Sequence, residues 1–305
     1  MNRITLKERD IDIEIPSHWD EMNKNQLLFC MKQAVMCTSG IVSVDEAKVR
    51  CFYHLADIQR DYKSVAIEKV MNEEIVQEKN SKALILAEQL CGFMFKENEH
   101  GQIEICYDTI YNHFPFLLSG KVKLHGPMHL FADLTFGEFR AAIEEMKEFF
   151  QSKQNSDLNR MMACLYRPER SDYDKIKKRD DFDGSIREPF NRARIGINAD
   201  YFKKVSHVVK TAVLLWFTYM VDYIQKEDLV LGGEEVNFSG LFDGGEPEGR
   251  RPAGSGWVTV LHQVAKQGPF GDAEKTDKMG LFDVLLYMKD CHDQNEELKR
   301  KSRKK

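Results

Sequence analysis

Two histidines have the spacing at which side chains of one helix could bind a metal ion. His125 and His129 are four residues apart, and two imidazoles at that spacing point to the same side of a helix. Gly126 and Pro127 lie between them, and a proline interrupts the helix that would direct both rings at one ion. We therefore predict two loop histidines and no metal site here.

The segment Asp180–Gly184 begins like a calcium-binding loop. Counted from Asp181, the twelfth position is Arg192, where such a loop needs a glutamate that binds through both oxygens. We therefore predict a solvated acidic turn. It belongs to a longer polar stretch, Tyr166–Asn191, that could order a binding surface, and the role of this stretch stays open.

The sequence contains no motif for phosphate binding or for nucleophilic catalysis. Neither Gly-x-x-x-x-Gly-Lys-Ser/Thr nor Gly-x-Gly-x-x-Gly occurs, and Gly254-Ser255-Gly256 has the wrong spacing for a nucleophile elbow. The seven cysteines never form a Cys-x-x-Cys pair. Cys30, Cys37 and Cys164 lie in apolar stripes and are interpreted as small core residues. We predict no cofactor, no metal and no enzymatic activity.

Composition favours a soluble protein without a strong electrostatic attraction to nucleic acid. The chain has 305 residues, of which 42% are hydrophobic and 30% charged, and its formal net charge is −5. This balance excludes a wholly disordered chain and a basic body that coats nucleic acid. The most apolar run, Thr211–Val221, is too short for a bilayer, and residues 1–7 do not resemble a signal peptide. We expect a soluble protein with a cytoplasmic location.

Apolar periodicity predicts a mainly α fold with minor β-hairpins. Residues 1–231 form the predicted body, which begins with a hairpin formed by alternating isoleucines between Ile4 and Ile15. A second hairpin is predicted between residues 93 and 107, around a polar turn. The segment Lys203–Ile224 is apolar on nearly every side and is predicted to be a buried helix. Capping boxes, Asn23-x-x-Gln26 and Thr135-x-x-Glu138, indicate two helix starts.

The composition changes after residue 231. Residues 232–256 contain eight glycines, two prolines and five acidic residues, which predicts a flexible linker that proteases cut first. Residues 257–305 then form a predicted helical hairpin. Apolar residues follow Trp257 at helical spacing until Gly268-Pro269, and Leu281–Met288 begins the second helix. Six of the last seven residues are basic.

This C-terminal segment resembles part of a known protein family. Trp257–Ala265, the glycines at 268 and 271, and Met279–Met288 are similar to the closing segment of tail assembly chaperones of long-tailed phages. Those proteins often have a Met-Thr helix cap where this chain has Met279-Gly280. The strings Ile15–Met22, Leu165–Pro168 and Arg187–Asn191 resemble prophage proteins of Bacteroides-type bacteria. The chaperone resemblance covers about the last 50 residues.

The resemblance implies a non-enzymatic helper in phage tail assembly. Such a protein holds the tape-measure protein, a long helix-forming chain, soluble until the tail tube assembles around it. An apolar helical surface would bind successive client helices. The implied partner-binding residues are Trp257, Leu261, Met279, Leu281, Phe282 and Met288. Phe282 lies off the apolar stripe of its own helix, so Phe282→Asp is expected to release the client and leave the fold intact.

Two other function classes stay open. One is a nucleic-acid-associated phage or mobile-element factor that uses the basic C-terminal tail, although we do not expect nucleic acid to be the partner of a chain with net negative charge. The other is an enzyme with an unrecognised site near Asp180–Arg187. No membrane partner is expected. A homo-oligomer, the identity of the client and a longer frameshifted form stay open.

Overall fold

The computed structural model confirms a mainly α fold with small antiparallel sheets. It describes residues 1–6, 11–59, 62–180, 182, 184–242, 264–266 and 268–303. The chain divides into two compact units, Met1–Thr109 and Ile110–Lys305. No feature of the sequence analysis predicted a boundary at this position.

The described part of the first unit contains a hairpin, four α-helices, two 3-10 turns and a second hairpin. Strands β1 (Asn2–Leu6) and β2 (Ile11–Ile15) pair in antiparallel register, with Ile4 opposite Ile13. The helices are α1 (Lys24–Thr38), α2 (Val44–Leu55), α3 (Tyr62–Glu68) and α4 (Glu73–Cys91). Strands β3 (Phe95–Glu97) and β4 (Ile103–Ile105) form the second hairpin. The first hairpin lies where alternation of apolar residues predicts it. The second lies within the predicted range 93–107, but residues 93 and 94 belong to a 3-10 turn and the strand begins at Phe95.

Local hydrogen bonds explain where α1 begins. The side chain of Asn23 accepts hydrogen bonds from the backbone N–H groups of Asn25 and Gln26, and the Gln26 side chain accepts one from the Asn23 N–H. This is the predicted capping box, which satisfies donors that a helix start leaves unpaired. The first unit buries Trp19, whose indole Nε1 donates to the Cys106 carbonyl at 2.6 Å.

Helix α4 is only partly packed. Its C-terminal half packs on α2 and buries Ala87 and Cys91 completely. Its N-terminal half contributes no buried residue, and α3 also has none among its described side chains. Lys79 of α4 pairs with Glu68 of α3 at 2.6 Å, which holds these two helices together. The pair α3 and α4 therefore exposes much of its surface.

The second unit is built around two packed helices, α5 (Phe136–Ser152) and α6 (Asn155–Leu165). Two strands of a three-stranded sheet precede these helices in the chain, β5 (Phe116–Ser119) and β6 (Val122–His125), and the third strand, β7 (Arg167–Pro168), follows them. In the sheet, β6 lies between β5 and β7. Short helices α7 (Tyr173–Ile176) and α8 (Ile195–Asn198) follow, with 3-10 turns between the larger elements. The Thr135–Glu138 capping box begins α5 as predicted.

The predicted apolar helix forms the centre of the second unit. Helix α9 (His207–Lys226) buries Trp216 and Phe217, which pack with the rings of Phe131 and Phe139. Aromatic side chains bury large areas, so this cluster contributes strongly to the stability of the unit. The apolar run in the sequence thus predicts both the helix and its burial.

The start of the predicted linker has regular structure. Strands β8 (Asp228–Leu231) and β9 (Glu234–Asn237) pair across Gly232 and Gly233, both of which have positive φ. Glycine adopts this conformation without steric cost, and two-residue hairpin turns require it. Helix α10 (Ser239–Phe242) follows. Residues 234–242 are therefore structured, and the predicted boundary after residue 231 falls inside a hairpin. Residues 243–256 lie outside the described residues.

The described C-terminal helices belong to the second unit. Residues 264–266 are helical. The backbone N–H of Gly268 donates to the carbonyls of Val264 and Ala265, and this helix ends there as predicted. Helices α11 (Ala273–Lys278) and α12 (Leu281–Arg303) then pack against α5. The sequence predicted only helices after residue 256, and the regular elements described in this segment are helices. Their packing on α5 was not expected, because the sequence analysis treated residues 257–305 as a separable hairpin.

Candidate functional site

The predicted partner-binding residues do not form one exposed surface in the described part of the chain. Trp257 and Leu261 lie outside the described residues. Leu281 is buried in the core of the second unit, and Met279 and Met288 are half-buried. A buried leucine cannot bind a partner without movement of the helix that carries it. Leu281 is therefore a core residue, which corrects its predicted role.

Phe282 has a place in the chain's own fold. Its ring stacks on the buried ring of Phe238, with centroids 6.5 Å apart and planes at 19°. Phe238 lies just before α10, about forty residues earlier in the chain. Periodicity within one helix does not predict such a contact. Substitution of Phe282 by aspartate therefore disturbs packing, so this variant would not isolate partner binding as the sequence analysis expected.

The segment that joins α11 to α12 is attached to the start of α5. The backbone N–H of Phe136 donates to the Met279 carbonyl, and the Leu281 N–H donates to the Leu134 carbonyl, both at 2.9 Å. Arg140 of α5 pairs with Asp277 at 2.8 Å. These backbone hydrogen bonds and this ion pair hold Met279 against α5, so the backbone of Met279 is part of the packed second unit.

The polar stretch Tyr166–Asn191 supplies a buried ion cluster. Arg167 is buried and its guanidinium pairs with the fully buried Glu138. The same guanidinium donates to the carbonyls of Glu188 at 2.6 Å and Cys164 at 2.7 Å. Arg187 donates to the Leu165 carbonyl at 3.0 Å and lies 3.4 Å from Glu138. These contacts join β7, the following loop and α5.

The charges of this cluster are mutually dependent. Burial by itself raises the pKa of Glu138, but Arg167 and Arg187 outweigh it and hold that pKa below its ordinary value. Burial lowers the pKa of Arg167, although an arginine remains protonated at neutral pH. Because Arg187 is only 1% exposed, it cannot meet a substrate from solvent. Within the alternative enzyme site near Asp180–Arg187, Arg187 therefore has a structural role. Asp181 and Asp183 lie outside the described residues.

The two histidines with metal-ligand spacing lie in different elements. His125 ends β6 and is buried, while His129 begins a 3-10 turn. The ring nitrogen Nδ1 of His129 accepts a hydrogen bond from the Asn112 N–H at 2.9 Å. His125 is thus a strand residue, which corrects the expectation of a loop. In the part of the chain that the structure describes, no three His, Cys, Asp or Glu side chains come together to hold a metal ion.

A small cleft lies in the first unit. It has a volume of about 290 Å³ and is lined by His18, Trp19, Phe93, Phe95, Cys106 and Asp108. The Cys106 thiol donates to Asp108 at 3.0 Å. Burial, and then this hydrogen bond, raise the pKa of Cys106 to about 11. The thiol is therefore protonated at neutral pH and is a poor nucleophile.

The buried cysteines are core residues. Cys30 and Cys164 are fully buried, as predicted, while Cys37 is half-buried. A hydrogen bond to Cys30, together with burial, raises the pKa of Cys51 strongly, and burial raises the pKa of Cys91 to about 12. Thiols with raised pKa values do not act as nucleophiles. Nothing in this cysteine group points to covalent chemistry.

The basic tail is partly neutralised by its own helix. In the last turns of α12, Lys299 pairs with Glu296 at 2.7 Å and Lys301 pairs with Glu297 at 2.6 Å. Exposed pairs of this kind contribute little to stability, but they reduce the positive potential of the helix. The described tail therefore offers a weaker attraction to nucleic acid than its composition indicates.

Exposed apolar side chains are concentrated on α3 and α4. Of the eighteen large apolar side chains that are exposed among the described residues, eight lie between residues 58 and 86. Tyr62 and Val70 are the most exposed of them, at 88% and 84%. We call Ile58, Tyr62, Val65, Ile67 and Val70 the α3 surface. On α3 itself, Tyr62 and Val65 lie about one helical turn apart, whereas Ile67 points away from Val65; Ile58 precedes the helix and Val70 follows it. A concentration of exposed apolar side chains in one segment is typical of interaction sites.

This surface was missed by the sequence analysis. The signal was present, since apolar residues at 62, 65, 67 and 70 are interleaved with charges in a segment of ordinary helical composition. Such a pattern predicts a helix that packs, and only the folded chain shows that no described side chain of α3 is buried. No protein-family model, curated protein or solved structure matches the chain. Among the described helices, none is long and apolar enough to cross a membrane.

Proposed function

We propose that this protein is a non-enzymatic assembly helper that binds a helix-forming client through the α3 surface. The observation that carries the proposal is the exposure of Tyr62 and Val70 together with their apolar neighbours. Leaving these side chains in water is unfavourable, and a client that covers them gains roughly 25 cal/mol for each Å² of apolar area removed from water. A binding role therefore explains a feature that the fold itself does not.

The α3 surface fits a helical client better than an extended one. An amphipathic helix presents apolar side chains at intervals that match an apolar helical surface, and helix-in-groove binding uses this match. The described part of β3, β4 and α3 offers the client no long strand to pair with, since β3 and β4 have three residues each. The client is therefore expected to be a chain of high helical content.

The resemblance to tail assembly chaperones supplies the specific client. We propose the tape-measure protein, because it is a long helix-forming chain that must be kept soluble until the tail tube surrounds it. The location follows from the client, in the bacterial cytoplasm where tails assemble. The sequence predicted C-terminal residues such as Leu281 as the binding surface, but Leu281 is buried. The side chains of the α3 surface are exposed and can contact a client without movement of a helix.

The first prediction tests this surface directly. A helical fragment of the tape-measure protein encoded in the same genome region is co-expressed with wild-type protein or with Val70→Asp. Wild-type protein is expected to raise the soluble fraction of the fragment. Val70→Asp is expected to abolish most of that gain, because a carboxylate cannot be buried against an apolar helix without a partner. The measurement is the soluble fraction of the fragment.

The matched control is Val230→Asp on β8. Val230 is 70% exposed, so the substitution adds the same charge to an exposed valine of the second unit. It is expected to keep the fragment as soluble as wild-type protein does. If wild-type protein does not raise the soluble fraction, the tape-measure protein is not the client. If both variants lose the effect equally, the α3 surface is not the binding site.

A further inference from the structure

Helix α4 carries a second exposed feature, separate from the α3 surface. Ile75, Glu78, Lys82 and Ile85 follow one another at intervals of three, four and three residues, so they form one stripe along the helix. All four are exposed, with Ile75 at 49% and Ile85 at 57%. The buried residues Ala87 and Cys91 lie on the other side of the helix. We call these four residues the α4 stripe.

The order of residue types in the α4 stripe is symmetric. An isoleucine stands at each end, with an acid and a base between them. When a second copy of the helix lies antiparallel across it, with the two-fold axis at the level of residue 80 on the side of the stripe, Ile75 meets Ile85 of the second copy. Glu78 then meets Lys82 of the second copy, and both contacts occur twice because an isologous interface repeats each contact.

The geometry points to a homodimer: we propose that α4 pairs with α4 of a second copy, antiparallel, through Ile75, Glu78, Lys82 and Ile85. The interval of the stripe is that of a coiled-coil seam, in which side chains of one helix fit between those of the other. A parallel pair would place Glu78 against Glu78 and Lys82 against Lys82. Like charges in direct contact disfavour that arrangement.

Charge complementarity favours a second copy over an unrelated partner. Residues 62–86 contain four lysines and four glutamates, so this segment is locally neutral although the whole chain has a net charge of −5. Within one chain Glu78 already pairs with Lys82 at 2.7 Å, which keeps both charges on the exposed side of the helix. In the dimer each carboxylate lies between two ammonium groups. The inference does not rest on the proposed client, because the α4 stripe and the α3 surface share no residue.

The dimer is expected to be weak. Two isoleucine pairs bury little apolar area, and small interfaces belong to weak or transient complexes. Sedimentation of the purified full chain, from roughly 1 to 500 µM, therefore covers the range in which such an equilibrium becomes visible. We expect a concentration-dependent shift from monomer to dimer.

Charge reversal tests the predicted pairing. Glu78→Lys places an ammonium group opposite Lys82 at both contacts and is expected to weaken association at least tenfold, as is Lys82→Glu. The double variant Glu78→Lys/Lys82→Glu restores complementary contacts and is expected to restore association. Glu274→Lys is the matched control, because Glu274 and Lys278 form an exposed pair at 2.8 Å with the same spacing on α11. It is expected to leave association unchanged.

Cross-linking tests the orientation. A mixture of Ile75→Cys and Ile85→Cys chains is expected to form the 75–85 disulfide on air oxidation with a copper catalyst, identified by peptide mass. In an antiparallel dimer, neither variant by itself forms a 75–75 or 85–85 bond. A monomer at every concentration, association that Glu78→Lys leaves unchanged, or a 75–75 bond in the single variant would each overturn the proposal.

Discussion

At the scale of single residues, the most constrained group is Glu138. It has two structural roles: its carboxylate completes the capping box of α5, and it also pairs with Arg167 and Arg187. Arg167 and Arg187 share the buried carboxylate of Glu138, and Arg187 also pairs with the largely buried Asp133 at 3.2 Å. Removal of the Glu138 carboxylate therefore leaves Arg167 without its carboxylate partner and Arg187 with Asp133 alone. Breaking a buried ion pair in this way is strongly destabilising, because the remaining charge keeps its desolvation cost.

We therefore predict that Glu138→Gln lowers the free energy of unfolding by about 3–5 kcal/mol. Because the two arginines hold the pKa of Glu138 below its unfolded value of about 4.5, the contribution of the carboxylate is complete above that pH. It is lost as the pH falls through the folded-state pKa. Urea unfolding of wild-type and variant protein at several pH values measures the difference, which is expected to shrink on acidification.

The control for this prediction is Glu144→Gln on the same helix. Glu144 pairs with Arg140 at 3.1 Å and with Arg192, but it is partly exposed. Exposed and partly exposed pairs contribute about 0–1 kcal/mol. Equal losses in the two variants, or a gap that widens at low pH, would contradict the structural role assigned to Glu138.

At the scale of elements, helix starts are where local sequence acts most directly. Asn23 caps α1 by accepting two backbone hydrogen bonds at 3.0 Å, and these donors have no helical partner of their own. The same logic places Thr135 at the start of α5. The elements that face solvent, α3 and the first half of α4, follow another rule, since none of their described residues is buried.

The cap of α1 gives a prediction at this scale. Asn23→Ala is expected to lower the free energy of unfolding by about 1 kcal/mol, because the cap hydrogen bonds are lost. Asn25→Ala is the control: Asn25 is exposed within the first turn of the helix, and alanine favours helix at such a position. Chemical unfolding measures both. A larger loss for Asn25→Ala than for Asn23→Ala would contradict the role of the cap.

At the scale of the whole molecule, the C-terminal helices are part of the second unit. Leu281, Val284 and Leu285 are buried, and Arg140 pairs with Asp277 across α5 and α11. Beyond residue 290, by contrast, the described residues of α12 include none that is buried. The chain from 273 to 290 therefore contributes to the core, whereas the following turns do not.

Truncation separates these two parts. A chain that ends at Asp272 is expected to lose several kcal/mol of stability, because burial of each large apolar side chain contributes about 1.5–3 kcal/mol. A chain that ends at Asp290 is expected to keep wild-type stability within about 1 kcal/mol, since none of the described residues that it removes is buried. Thermal unfolding followed by circular dichroism measures both chains. Comparable stability of the chain ending at Asp272 and the full chain would show that α11 and α12 form a separate module.

Features that depend on neighbouring residues could be predicted from the sequence. Alternating isoleucines predicted β1 and β2, the two capping boxes predicted the starts of α1 and α5, and uniform apolarity predicted the burial of α9. Each of these is a property of a few adjacent residues, because backbone hydrogen bonds and side-chain periodicity act over short distances along the chain.

Contacts between residues that are distant in sequence, and the exposure of side chains suited to burial, became visible only in the folded chain. The contact of Phe282 with Phe238, and the cluster of Glu138 with Arg167 and Arg187, join residues that are far apart in sequence. The same is true of the α3 surface, since its apolar residues would look alike in sequence whether buried or exposed. Local patterns indicate that a side chain is suited to burial, but the path of the whole chain determines whether other residues pack against it.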